Sequence, residues 1–142
     1  MQDDMRKALS QVRLEHAEEC LKSAKALLGM DDYKGAANRS YYAIYHAMRS
    51  VLALDGIDME KHSGTISEIR RLYIATQIFD RSMSKTISQL FDIRTNSDYD
   101  DFYVASKTEV EEQVQGAEAF VETISQYLSK LKTRDKLSDD DN

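Results

Sequence analysis

Apolar residues recur at spacings of three and four along most of this chain, the periodicity of helices that bury one face. The plainest run is Val110, Val114, Ala117, Val121, Ile124, Leu128 and Leu131, which alternates the two spacings without a slip. Such a heptad-like seam predicts a long helix packed against antiparallel neighbours. A first helix is predicted from about Met5 to Leu28, with Leu9, Val12, Cys20, Ala24 and Leu27 on one face and His16 at its margin. Gly29 and the Asp31-Asp32 pair end it, and one of those aspartates is placed to cap the next helix.

The second helix, from about Tyr33 to Leu54, has no acidic residue before Asp55 and sorts into three faces. Tyr41, Ile44, Tyr45, Met48, Val51 and Leu52 make an apolar face, and Ser40, Ala43, Ala47 and Ser50 a small-residue face. Arg39, Tyr42, His46 and Arg49 make a polar stripe about 80° wide. Asp55-Gly56 breaks this helix, and His62-Ser63-Gly64 leads into a third, about Thr65 to Thr76, with Ile66, Ile69, Leu72 and Tyr73 inward. Ser63 or Thr65 is its expected N-cap, with Glu68 in capping-box position to Thr65. A fourth helix opens at Asp80 or Ser82 and carries Met83, Ile87, Leu90 and Arg94 on a stripe about 60° wide. Thr95 to Asp101 reads as turn or cap material, and residues 132–142 as a disordered acidic tail with nothing to bury. The expected fold is all-α: one antiparallel up-and-down bundle over residues 1–131, of four long helices plus one short helix.

Composition supports that class. The 142 residues include no proline, only 5 glycines and 31% charged residues, too little punctuation for many strands and turns. The single cysteine, Cys20, excludes an internal disulfide and reads as a buried thiol in a reducing compartment. No apolar run is long enough to span a membrane and no signal peptide opens the chain, so a cytoplasmic location is expected. The net charge of −6 argues against a general nucleic-acid binder. Between Tyr33 and Ser88, however, eight basic residues face five acidic ones, which permits a local anionic ligand.

Arg94 is the sharpest chemical feature. An arginine cannot discard its charge, and desolvating it unpaired costs several kcal/mol. Ending an apolar stripe, it belongs where the buried face opens onto a cleft or a partner, or in an ordinary pair with Asp98. The Arg39/Tyr42/His46/Arg49 stripe suits a phosphate or an acidic partner, or else is a solvated face with Tyr42 lying along it. His62, beside a helix start, is placed either to contact an anion or to serve the loop. No spacing among the histidines forms a metal motif, so neither a metal site nor a cofactor is expected.

The blocks Asn38 to Leu52, His62-Ser63-Gly64 and Arg94 to Tyr99, in that order, resemble the HEPN domains of prokaryotes. The likeness is to the small stand-alone branch encoded beside a minimal nucleotidyltransferase, and it covers nearly the whole chain. The resemblance implies a homodimer with a site where the two copies meet. It also implies metal-independent ribonuclease chemistry, in toxins, from an arginine followed four to six residues later by histidine. Carried over, the arginine is Arg94, but the matching span holds Asp98, Tyr99, Asp100 and Asp101 and no histidine. A neutral-range acid and base is what imidazole supplies and a phenol does not. In some such pairs the partner adenylylates a tyrosine just after this motif, which makes Tyr99 and Tyr103 acceptor candidates. Three readings are open: a HEPN dimer controlled by a nucleotidyltransferase partner, with Arg94, Asp98 and Tyr99 at its centre; an active ribonuclease toxin; or a non-catalytic module for dimerisation and nucleotide binding. RNA or a nucleotide would meet Arg39, Tyr42, His46, Arg49 and His62.

Overall fold

The structure is a computed structural model that describes residues 2–101 and 103–140, the side chains of 138–140 excepted. Five α-helices succeed one another: α1 (Gln2–Gly29), α2 (Tyr33–Leu54), α3 (His62–Ile69), α4 (Arg81–Tyr99) and α5 (Lys107–Asp140). A single wider π-turn, Arg70–Ile74, continues α3, and no strand forms among the described residues. The all-α bundle expected from the periodicity is the architecture found.

Helix α2 is the centre of the bundle and packs against each of the other four. Its longest contact is with α1, and both surfaces are small there. Ser40, Ala43, Ala47 and Ser50 of α2, with Ala17 and Ala24 of α1, are fully buried, so the two backbones approach closely. The opposite side of α2 puts Tyr41, Ile44, Met48, Val51 and Leu52 into the main core with Ile69, Ile87, Val121 and Ile124. The helix ends are built as the residues suggest. Asp32 accepts a hydrogen bond from Gly35 N–H at the start of α2, and Asp80 from Ser82 N–H at the start of α4. Gly56 closes α2 at φ 71°, with Ile57 N–H bonded to Leu52 O and its own N–H to Ala53 O.

Four expectations change. The buried face of α1 is rotated: Ser10, Arg13, Leu14, Ala17, Cys20 and Ala24 go inward, while Leu9 and Val12 stay 42% and 46% exposed. Arg13 is carried inward because its guanidinium finds acceptors there, Arg49 O and Asp58, both at 3.3 Å. Helix α3 starts earlier, at His62, and neither Ser63 nor Thr65 caps it; Thr65 is buried and Glu68 pairs with Arg71 at 2.6 Å. Helix α4 runs on through the polar residues after Arg94 to Tyr99, with Ser97 buried and Asp98 held by Arg94 and Asn38. Helix α5 continues through Asp140, where composition suggests a disordered tail from residue 132. Lys132 donates to Gln11 and Asp135 pairs with Lys7, so the extension lies along the start of α1. Asp141 and Asn142 lie outside the described residues.

Replacing fully buried Ile44 with alanine should cost about 2–5 kcal/mol in urea unfolding. Leu9→Ser should stay within about 0.5 kcal/mol at protein concentrations low enough to keep the chain monomeric, and a loss there as large as that of Ile44→Ala would put Leu9 in the core after all.

Candidate functional site

The polar end of the core is made where α2, the start of α3 and the end of α4 meet. Helical spacing brings Tyr41 and Tyr45 of α2 to one side, with Tyr42 at their edge. The Tyr41 and Tyr45 rings lie 11° from parallel at 6.2 Å. His62 stacks on Tyr45 at 4.0 Å between ring centroids and meets Tyr42 edge-on at 5.9 Å. Its Nδ1 is 2.8 Å from the Tyr41 hydroxyl, and Tyr41 is otherwise wholly buried.

Arg94 reaches this group from α4. Its guanidinium carbon lies 5.4 Å from the Tyr41 ring centre, 5.6 Å from Tyr42 and 5.8 Å from Tyr99. Each such face is worth about 0.5–1 kcal/mol at a partly exposed site. Nη2 donates to the Tyr42 hydroxyl at 3.0 Å. Nε is 3.1 Å from Asp98 Oδ2, close enough for an ion pair but not aligned for a hydrogen bond. The Arg94 side chain is only 16% exposed. Burial works against its charge, but Tyr42, Asp98 and Tyr99 outweigh that effect and hold its pKa above the ordinary value. Asp98 also accepts from Asn38 Nδ2 at 3.4 Å.

The polar stripe of α2 divides between two settings. Arg39 folds back onto Asn38 Oδ1 and over the Tyr42 ring at 5.2 Å, so Arg39 and Tyr42 belong with Arg94. Arg49 pairs with Asp58 at 3.2 Å, beside Arg13 on the same carboxylate, and its charge is engaged there. His46 faces His16 edge-on at 5.7 Å. Burial, then His16, Arg49, Arg39 and Arg13 in turn, press its pKa down to about 4. His62 is lowered too, by burial first and then by Arg94 and Arg49. Both imidazoles are therefore neutral near pH 7. The two candidate phenols also part company. Tyr99 is 75% exposed at the end of α4, whereas Tyr103 is half-buried and donates to Glu109 at 3.2 Å.

Tyr41, Tyr45 and Asn38 belong to the site without standing out in the sequence. The one legible hint is three tyrosines within five positions, more hydroxyls than a plain apolar face carries. No group of three or more His, Cys, Asp or Glu side chains is arranged to hold a metal among the described residues. No described helix is long and apolar enough to cross a membrane. What the site offers is Arg94 walled by aromatic faces, Arg39 beside it over Tyr42, an adjoining neutral imidazole and a carboxylate.

Residues 10–128 match the HEPN domain family. The chain belongs to that family. An Archaeoglobus fulgidus relative, named a UPF0332 protein, is 31% identical over 84% of this chain and 95% of its own. A Methanocaldococcus jannaschii relative named "Putative toxin MJ0605" is 28% identical over 85% of this chain and 90% of its own. The crystal structure of TT1696 from Thermus thermophilus shares the fold, with a TM-score of 0.69 at 18% identity, covering 82% of this chain and 96% of that one. In this HEPN domain Arg94 stands more than a turn before the end of its helix, not at the tip.

The depressed pKa of His46 gives a signed pH dependence. The unfolded chain takes this proton near 6.5 and the folded one only near 4, so stability falls as pH drops through that window. His46→Gln should flatten the fall in melting temperature between those limits. An NMR titration placing the His46 midpoint near 6.5 would remove the effect.

Proposed function

We propose that this chain is the toxin-like subunit of a two-protein system, working as a homodimer and controlled by a nucleotidyltransferase partner that modifies Tyr99. The observation that carries this is the position of Tyr99, an exposed phenol whose ring lies 5.8 Å from the guanidinium of the motif arginine. Its oxygen would attack the α-phosphorus of a nucleoside triphosphate held by the partner. Pyrophosphate leaves, and the phenol proton passes to a base of that partner. The phosphodiester anion so formed would have Arg94 as its counter-charge. The names of relatives such as the Methanocaldococcus protein support the toxin-like part.

One feature supports a second copy: Met5, Leu9 and Val12 form an exposed apolar stripe on α1 beside the His16–His46 contact. Co-expression with a nucleotidyltransferase, followed by intact mass, tests the proposal. A nucleotidyl adduct should appear on wild type and on Tyr103→Phe and be absent from Tyr99→Phe. An adduct that persists in Tyr99→Phe, or none on any form, would overturn it.

The placement of His62 favours a second reading, a metal-independent ribonuclease. His62 supplies near Arg94 an imidazole that the motif itself lacks, since both pack on Tyr41 and Tyr42. In that reaction the 2′-oxygen attacks the adjacent phosphorus and the 5′-oxygen leaves, giving a 2′,3′-cyclic phosphate. Arg94 balances the charge that builds on the phosphoryl oxygens. With Nδ1 tied to Tyr41, Nε2 of His62 is the nitrogen left to exchange a proton with substrate. In chelator-treated RNA digests, Arg94→Ala should abolish cutting, and His62→Gln should slow it by about 10²–10⁴. Cutting that survives His62→Gln at full rate, or no cutting by wild type, would discard this reading.

A further inference from the structure

A further cation, Arg70, lies in the groove between α3 and α4, two aromatic rings away from Arg94. The groove holds a cavity of about 350 Å³, with Ser63, Ser67 and Arg70 on one wall and Ser88, Phe91 and Asp92 on the other. Arg70 opens the π-turn, where Ala75 N–H reaches back five residues to Arg70 O at 2.8 Å. Such turns are inserted single features, frequent at functional sites.

The Arg70 guanidinium is fixed by three bonds: Nε to Ser84 Oγ at 2.9 Å, and Nη2 to Ser84 O at 3.3 Å and Ser88 Oγ at 2.7 Å. All three acceptors are neutral, and Arg70 has no ion pair with a carboxylate among the described residues. Three of its five N–H groups are used, and the two on Nη1 make no bond among the described residues. The fork is thus oriented and partly desolvated while its charge is left uncompensated.

Beside it, half-buried Phe91 exposes part of a ring whose other side meets Tyr41 at 5.9 Å. Tyr41 in turn touches His62 and carries Arg94 over its face. Ser63 directly follows His62 in the chain. Phe91 and buried Tyr41 therefore stand between the groove and the Arg94 recess as a shared aromatic wall. Among the described residues Asp92 is the one carboxylate lining the groove, and it opposes an anion there.

We infer that this groove seats one nucleotide unit of single-stranded RNA next to the Arg94 site, with its phosphate on the Arg70 fork and its base stacked on Phe91. Guanidinium and hydroxyl donors suit a phosphate, and an aromatic face suits any base without sequence preference. Naming RNA as the polymer rests on the ribonuclease reading above; the nucleotide chemistry is read from the groove itself.

Two probes separate the proposal from that reading: AMP followed by NMR, and a short fluorescein-labelled oligouridylate followed by anisotropy. AMP should shift the Arg70 Nε–Hε and Phe91 ring resonances. For the oligouridylate, Arg70→Gln and Phe91→Leu should each weaken binding about tenfold. Arg70→Gln should also lower the slope of log affinity against log salt by about 0.7. Asp92→Asn, which touches none of the Arg70 bonds, should tighten binding and guards against an Arg70 variant that simply unfolds. If Arg94→Ala weakens RNA binding while Arg70→Gln and Phe91→Leu do not, the groove is wrong and the ribonuclease reading stands. If wild type binds no RNA yet AMP shifts Arg70 and Phe91, the nucleotide site stands and the RNA reading falls. AMP shifts at neither residue would overturn the proposal.

Discussion

A guanidinium turned inward from a helix needs acceptors and soft faces, because it cannot be neutralised at any accessible pH. Most of the polar end of this bundle answers that need for Arg94. Tyr41, Tyr42 and Tyr99 present their ring faces, Tyr42 adds a hydroxyl, and Asp98 supplies the counter-charge one turn along the same helix. The demand reaches back into the secondary structure. Asp98 can serve only if α4 stays helical to that point, and a run with poor helix propensity does so because tertiary partners hold it.

The bundle itself was legible because its signal is redundant. The α5 seam from Val110 to Leu128 is buried as its spacing demands, and α2 begins and ends where its residues say. Two of the misreadings share one physical origin, long side chains whose partners come from elsewhere in the chain. Arg13 displaced Val12 from the interior of α1 because Asp58 and Arg49 O awaited it across the fold. The end of α5 stayed helical against Lys7 and Gln11, over a hundred residues away. Hydrophobic spacing carries no record of such pairings.

The site was legible in its centre and not in its walls. Arg94 stood out by ending an apolar stripe, and Tyr42 by lying among cations. Tyr41 and Tyr45 looked like ordinary core residues, since a buried phenol and a buried phenyl ring give the same helical pattern. His62 could not be joined to Arg94 from spacing, because the whole of α3 and the stretch before α4 separate them in sequence. Only the packing of α3 against α2 brings its first residue over Tyr45.

Asp98 bears on how such a site is held in reserve. At an effective dielectric of 20, unit charges about 4 Å apart interact by roughly 4 kcal/mol, for a carboxylate and a singly charged phosphodiester alike. An incoming phosphate therefore gains little by replacing Asp98 and much more by joining it on the guanidinium, whose Nη2 already donates to Tyr42. A nucleotidyl group on Tyr99 would meet the same limit, since one guanidinium cannot fully serve a carboxylate, an adduct and an RNA phosphate together. On the proposed reading, control and action then compete for Arg94, with no change of fold required.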